Sequence, residues 1–305
     1  MRILLVGQAA FAEQVLGGLL AAGDDVVGIV CPPDQGPKPD PVKAAGQSRG
    51  IPVHQFQALK GPEARTVFAE ARADLAVLAY VTQIVPEPLL SIPRLTSICF
   101  HPSLLPRYRG GSAINWQLIR RERRTGVTVF WPDAGIDTGP ILLQRAAEIG
   151  PEDTAGTLYY QTLFPLGVGA VLDAVALVRA GRAPREPQDE TAATHDGLCR
   201  DPQAVIDWAQ PAAVVHDLIR GCDPQPGAHT GWRQGRVRLY DARRATGVGR
   251  GVAPGTVLDV GAEGLVIATA TDGAVRCARA RGGGPKAAAA EVAAAEGITP
   301  GSRFA

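Results

Sequence analysis

Two residues able to move protons near neutral pH, His101 and Asp137, stand in the stretches SICFHPSLLPRYRGG and GVTVFWPDAGIDTG. His101 closes an apolar run and precedes Pro102, which biases it toward an extended conformation. Its neighbours Ser103, Arg107 and Arg109 are polar residues in a loop, a setting that suits a site better than a core. An imidazole there can take up or deliver a proton. Asp133 and Asp137 share the turn PDAGIDTG; turn chemistry alone accounts for Asp133. Asp137 sits where the chain re-enters a strand, so it either orients His101 or acts as base itself. Cys99, two residues before His101, points to the same face of its strand. It reads as core packing rather than as a nucleophile, because thiolate chemistry needs an electropositive, partly exposed setting.

The remaining candidates exclude more than they offer. His54, His195, His216 and His229 lack ligand-like spacing, so no metal is expected. Gly7-Gln8-Ala9-Ala10-Phe11-Ala12 has one glycine where a dinucleotide fingerprint needs three, and Phe11 would crowd a pyrophosphate. No NAD or FAD is therefore expected. The cluster Arg120-Arg121-Glu122-Arg123-Arg124 is most simply a solvated helix end. A net charge of +1 gives no support for a polyanionic partner. The five cysteines form no CxxC pair, which implies free thiols in a reducing compartment. RILLVG reads as a first core strand rather than a signal peptide, and no uncharged apolar run approaches the ~20 residues that span a membrane. The expectation is a cytoplasmic protein without membrane contact.

These residues need a frame. Apolar runs at Arg2–Gly7, Val26–Cys31, near Pro52–His54, at Asp74–Tyr80 and at Ser97–His101 predict buried strands. Between the first two, Phe11, Val15, Leu19 and Leu20 recur at helical spacing over 9–22. Strands alternating with helices predict an α/β fold: a Rossmann-like, doubly wound, mostly parallel sheet, whose ligands bind beyond the carboxyl ends of the strands. A further strand is predicted at Ile141–Ile149 and a long helix over 154–180, kinked or broken at Pro165. GRAPREPQDETAATHD then loses all apolar periodicity and reads as a linker, about residues 181–200. The expected domains are 1–200 and 201–305. The second opens with a helix containing Trp208, Val214 and Leu218. It continues as glycine-bounded strands RVRLYDA, GTVLDVG, GLVIATA and AVRCARA, which predict a small OB-like β-barrel. KAAAAEVAAAEG reads either as a short helix or as a mobile insertion.

HPSLLPRYRGGSAINW followed by DAGIDTG resembles the folate-dependent formyltransferases, among which the hydrolase-type N-terminal domain of the 10-formyltetrahydrofolate dehydrogenases is most similar. The resemblance extends over GQAAFAEQV, ADLAVLAYVTQIVP, TLYYQTLFPLGV and DWAQPAAVVHDLIRGCDPQPGA. It implies 10-formyltetrahydrofolate as formyl donor, with neither metal nor NAD. It places the catalytic pair on His101 and Asp137. It also places folate-binding residues on Tyr80, Val81, Gln83, Ile84 and Pro86, and on Asp133, Gly135 and Ile136. It assigns Ser103, Leu104, Leu105, Pro106, Arg109 and Gly110 to a substrate loop. Cys99 stands where most members carry an asparagine that holds the developing oxyanion, a donor worth ~2.7–4 kcal/mol; hydrolase-type members lack it too. The expected reaction is release of tetrahydrofolate and formate. Its alternatives are transfer to an amine or thiol acceptor, such as methionyl-tRNA or an amino sugar, and a non-catalytic folate binder. DQGPKPDP, poor in basic residues, argues against tRNA. Arg233, Arg236, Arg238, Arg243 and Arg244 argue for it, although a solvated barrel face explains them equally well. The dehydrogenases continue into a carrier domain and an aldehyde dehydrogenase domain, so this chain is either stand-alone or part of a longer multidomain protein.

Overall fold

In a computed structural model describing residues 1–245, 247–271 and 273–305, the chain divides into two compact units. The first comprises Met1–Gly111, Thr125–Ala147 and Gln161–Asp196. In chain order it contains β1 (Arg2–Gly7), α1 (Ala9–Ala21), β2 (Asp25–Cys31), α2 (Pro41–Gln47), β3 (Val53–Gln55) and α3 (Pro62–Glu70). Next come β4 (Leu75–Ala79), α4 (Glu87–Leu90) and β5 (Ser97–His101). The chain then leaves for α5 (Ala113–Ile119), part of the second unit, and returns as β6 (Arg124–Phe130) and β7 (Ile141–Glu148). The strand order is β3-β2-β1-β4-β5-β6-β7. The strands through β5 pair in parallel, as their apolar runs predict. β6 pairs with β5 antiparallel, His101 opposite Thr128, because α5 does not form a crossover of this sheet. Asp137 therefore lies on the loop of the β6–β7 hairpin, which Trp131 N–H closes on the Pro140 carbonyl at 2.9 Å.

Buried aromatics fix α1 and the next long helix to the sheet. Phe11 of α1 stacks on Phe100 of β5 at 4.4 Å and meets Phe164 edge-on at 5.4 Å. The helical run 155–179 is divided into α6 (Ala155–Thr157), a π-helical stretch at Leu158–Leu163, and α7 (Phe164–Arg179). The break expected at Pro165 is this π-helical stretch directly ahead of it, since proline cannot supply the N–H that a continuous α-ladder needs. Thr154–Leu172 is uncharged, and the run Ala155–Arg179 is long and apolar enough to cross a membrane by length and composition. This corrects the expectation that no such run exists. In the fold, α7 buries Gly167, Ala170, Val171, Ala174 and Val175, with Gly167 close against Phe100. Gly7 shows the same economy: a Cβ there would fall 2.0 Å from the Ala79 carbonyl, so glycine is set by strand contact.

The second unit comprises Ser112–Arg124, Glu148–Tyr160 and Gly197–Ala305. Its helix α8 (Ala212–Gly221) begins after Trp208, which lies outside it, buried, and donates to Thr230 Oγ1 at 2.9 Å. The strands are β8 (Ala228–Trp232), β9 (Gly235–Ala245), β10 (Val257–Gly261), β11 (Gly264–Thr269), β12 (Gly273–Arg281) and β13 (Ala287–Ala288). They form an antiparallel sheet of order β10-β11-β12-β9-β8, with β13 on β12. Among the described residues β10 and β8 do not pair, so the expected closed barrel is an open sheet. The terminal segment spans the gap: Val257 N–H donates to the Ser302 carbonyl at 2.8 Å, and Ala305 N–H to the Gly231 carbonyl at 3.2 Å. The alanine-rich stretch is a helix, α9 (Ala289–Glu296), stopped by Gly297 in the left-handed region at φ +67°. Cys199 and Cys222 are reduced, their sulfurs 3.9 Å apart.

Candidate active site

His101 ends β5 with its side chain buried. Its Nε2 lies 2.7 Å from the Tyr108 carbonyl oxygen, which can only accept, so Nε2 carries the proton. That bond turns Nδ1 toward Asp137 Oδ2, 3.4 Å away. Asp137 Oδ2 also accepts the Gly110 N–H at 2.8 Å. The expected pair thus meets, with the imidazole behind and the carboxylate toward the surface: their side chains are 6% and 18% exposed. Across this contact a proton can pass between carboxylate and imidazole, an arrangement able to take a proton from one reactant and return it to another.

The loop beneath the pair is pinned to the sheet. Thr128 of β6 donates to the Ser103 carbonyl at 2.6 Å and accepts the Leu105 N–H at 3.1 Å. Gln144 of β7 donates to the Leu105 carbonyl at 2.8 Å and to Thr128 Oγ1 at 2.9 Å. Ser103 is fully buried and donates to the Arg107 carbonyl at 2.7 Å, and Leu105 is buried beside the cis-linked Pro106. Leu104 is half-buried against Gly126. Sequence reading misses Thr128 and Gln144; the available signal is polar side chains at inward positions of apolar strands.

Residues expected to belong to a linker are bonded to this site. Glu186 pairs with Ile141 in both directions. Gln188 donates through Nε2 to the Asp137 and Gly139 carbonyls at 2.9 and 2.7 Å. Its Oε1 accepts from Arg109 at 2.8 and 3.2 Å. Arg109, buried and expected to face substrate, makes a two-pronged pair with Glu190 at 2.7 and 2.9 Å. Thr194 takes the Tyr108 N–H on its hydroxyl at 2.7 Å and the Arg109 N–H on its carbonyl at 2.9 Å. At Gly110, where φ is +101°, the His195 ring and the Asp196 carbonyl leave little room for a Cβ.

Cys99 is half-buried and its thiol has only a weak contact with the Phe100 carbonyl at 3.6 Å. Burial, assisted by the Asp137 charge, pushes this thiol well above its ordinary range, so it is no thiolate nucleophile. On the neighbouring strand, β4 runs into Tyr80–Pro86. Tyr80, at φ +62°, and Gln83 line a small cleft with Val81, Gly7, Gln8 and Cys31. Gln83 donates to the Phe56 carbonyl at 3.1 Å, while its Oε1 is buried with no hydrogen-bond partner. Ile84 is 71% exposed and Ile136 is 48% exposed; Pro86 caps α4. Asp133 accepts from the Gly135 N–H at 3.0 Å and from Thr138 Oγ1 at 2.5 Å, the turn role its sequence suggests. At the mouth of β1, the Ala9 N–H that opens α1 donates to both Asp40 oxygens, at 2.9 and 3.0 Å.

Residues 1–170 match the family described as Formyl transferase, and residues 200–296 its C-terminal domain. The chain belongs to the formyl transferase family. It is 41% identical over 265 residues to mitochondrial 10-formyltetrahydrofolate dehydrogenase of Mus musculus, covering 85% of this chain and 28% of that protein. It is 36% identical to methionyl-tRNA formyltransferase of Geobacter metallireducens, covering 88% of this chain and 86% of that one. The chain thus spans about a quarter to a third of the dehydrogenase and nearly the whole of the transferase. HypX from Aquifex aeolicus, solved in complex with tetrahydrofolic acid, shares the fold with a TM-score of 0.72 at 21% identity, over 97% of this chain and 47% of that one. WlaRD, a sugar 3N-formyl transferase, shares it with a TM-score of 0.66 at 16% identity, over 93% and 98%.

Proposed function

We propose that this formyl transferase family member takes 10-formyltetrahydrofolate and delivers the formyl group to water, releasing tetrahydrofolate and formate. The observation that carries this reading is the His101–Asp137 pair, with the carboxylate on the outer side. Water adds through oxygen to the formyl carbon while one of its protons passes to Asp137. The carbonyl oxygen becomes an oxyanion; the C–N bond then breaks and N10 takes the proton back, leaving tetrahydrofolate and formic acid, which ionises. His101, anchored on Tyr108, balances charge on Asp137 as the proton moves.

A folate fits the residues beyond β4. The buried, unpartnered Gln83 Oε1 needs an N–H donor, which a pterin ring offers, and exposed Ile84 and Ile136 offer apolar surface to flat rings. Water is favoured as acceptor because Cys99 supplies no strong donor to the oxyanion. In addition, the Asp40 carboxylate occupies the start of α1, where a phosphorylated acceptor would otherwise seat. Arg236 and Arg238 both pair with Asp201, and Arg243 with Glu152, which leaves these basic residues engaged within their own unit. Five free thiols fit a reducing, cytoplasmic setting.

The second reading is transfer to an amine such as methionyl-tRNA. The near-complete coverage of a methionyl-tRNA formyltransferase favours it, whereas the chain spans only 28% of the dehydrogenase it matches. Incubation with 10-formyltetrahydrofolate, following tetrahydrofolate and formate with and without amine and thiol acceptors, separates the two. Equal product with and without acceptor supports hydrolysis. Acceptor-dependent turnover far above it moves the assignment to transfer. Full activity in His101→Ala, or no turnover with any acceptor, removes the catalytic reading.

A further inference from the structure

The geometry points to Gln188 as the positioning residue for Asp137, a role that rests on the reaction proposed above. Asp137 sits at φ +56°, a left-handed conformation uncommon for residues other than glycine, and is restrained there. Three contacts supply that restraint. Gly110 N–H holds the carboxylate, and Gln188 Nε2 grips the main chain on both sides, at the Asp137 and Gly139 carbonyls. Gln188 is itself oriented: with Oε1 taken by Arg109, its amide nitrogen must face the hairpin loop. Arg109 is fixed in turn by Glu190 and is adjacent to Gly110, so the contacts close into a ring around Asp137. The His101 side has its counterpart in Thr194, which holds Tyr108. One segment, 186–194, thereby fixes both halves of the pair.

A carboxylate in place of the amide tests this, because Gln188→Glu keeps the shape and the Arg109 contact but cannot donate to the loop carbonyls. Expected in the full chain is a loss of about 10- to 100-fold in kcat, the scale of an ångström-level misplacement, with KM for 10-formyltetrahydrofolate within about twofold. Amide hydrogen exchange at 133–139 rises, while the thermal midpoint stays near that of the parent. Gln188→Asn, which keeps the donor on a shorter arm, recovers part of the loss. Gln188→Glu with parental kcat, or with kcat falling only in step with a collapsing thermal midpoint, overturns the assignment. Should the parent chain show no turnover, the proposed reaction fails, and exchange alone then decides: unchanged protection at 133–139 in Gln188→Glu overturns the role of Gln188 independently.

Discussion

Replacing Asp137 by asparagine removes one charge and almost nothing else. The amide oxygen of the substituted side chain can still accept the Gly110 N–H, so the loop keeps its anchor. What is lost is the attraction between the carboxylate and the imidazolium that forms when the proton Asp137 takes from water is passed on to His101 Nδ1. At the observed 3.4 Å, Coulomb's law gives about 5 kcal/mol for an effective dielectric near 20 and about 1 kcal/mol in water. The side chains are 6% and 18% exposed, which places the pair toward the first limit. A loss of about 3 kcal/mol corresponds to a fall of roughly 100-fold in kcat. Asparagine also cannot take the proton from water, so the change is in kcat, with KM for the folate held within about threefold. The assay is steady-state release of tetrahydrofolate and formate, paired with thermal denaturation to show an unshifted midpoint. Asp137→Asn retaining a third or more of the parental kcat would refute the charge argument. A midpoint falling by more than a few degrees would show that the anchor, not the charge, had been lost.

Cys99→Asn installs a donor on the face of β5 that His101 shares; turnover is expected to rise, most of all toward amine acceptors, within the ~100- to 1,000-fold that one oxyanion donor is worth. The half-buried amide costs about 1–3 kcal/mol of stability if it finds no partner in the resting protein, visible as a lower thermal midpoint. In the second unit, hydrogen bonding from Arg238 holds the Asp201 carboxyl at about 2, below its ordinary value near 3.8. A depressed carboxyl contributes stability that is full above the unfolded value and is lost as pH falls from about 4 through 2. With Asp201 partly exposed, that contribution is about 1 kcal/mol or less. Asp201→Asn should flatten the stability of this unit over that acidic window in denaturant titrations, and an unchanged pH slope would count against the ion pair.

Much of the first unit is legible in its residues, because strands buried on both faces write themselves as continuous apolar runs. Leu4, Val6, Val30, Ala76 and Leu78 lie in one core cluster for that reason. The pair His101–Asp137 is legible as two proton-handling residues in turn-rich loops. The antiparallel return of β6 is not, since an apolar run carries no direction; the pairing of Cys99, Phe100 and His101 with Phe130, Val129 and Thr128 reveals it. The role of 186–194 is invisible for a different reason: Gln188, Glu190 and Thr194 act through single hydrogen bonds to distant loops, and such contacts leave no period in the chain. Strand β8 leaves little signal because Ala228–Trp232 is short, contains a glycine and lacks an apolar run. The alanine-rich segment is ambiguous in sequence because alanine suits a helix everywhere; Val292, buried on α9, decides it.

The order of these pieces along the chain has a consequence for how the protein becomes competent. The last strand of the first sheet ends at Glu148, yet the contacts that set Asp137 and Tyr108 come from residues 186–194. During synthesis, the sheet and its hydrophobic layers can assemble while the site remains incomplete, because domains form as the chain emerges. The hydrogen bonds that set Asp137 and Tyr108 are complete only once the segment following α7 is in place. The same order bears on truncation: a chain ending near Gly181 keeps every strand of the sheet but lacks 186–194, whereas one ending after Asp196 keeps that segment too.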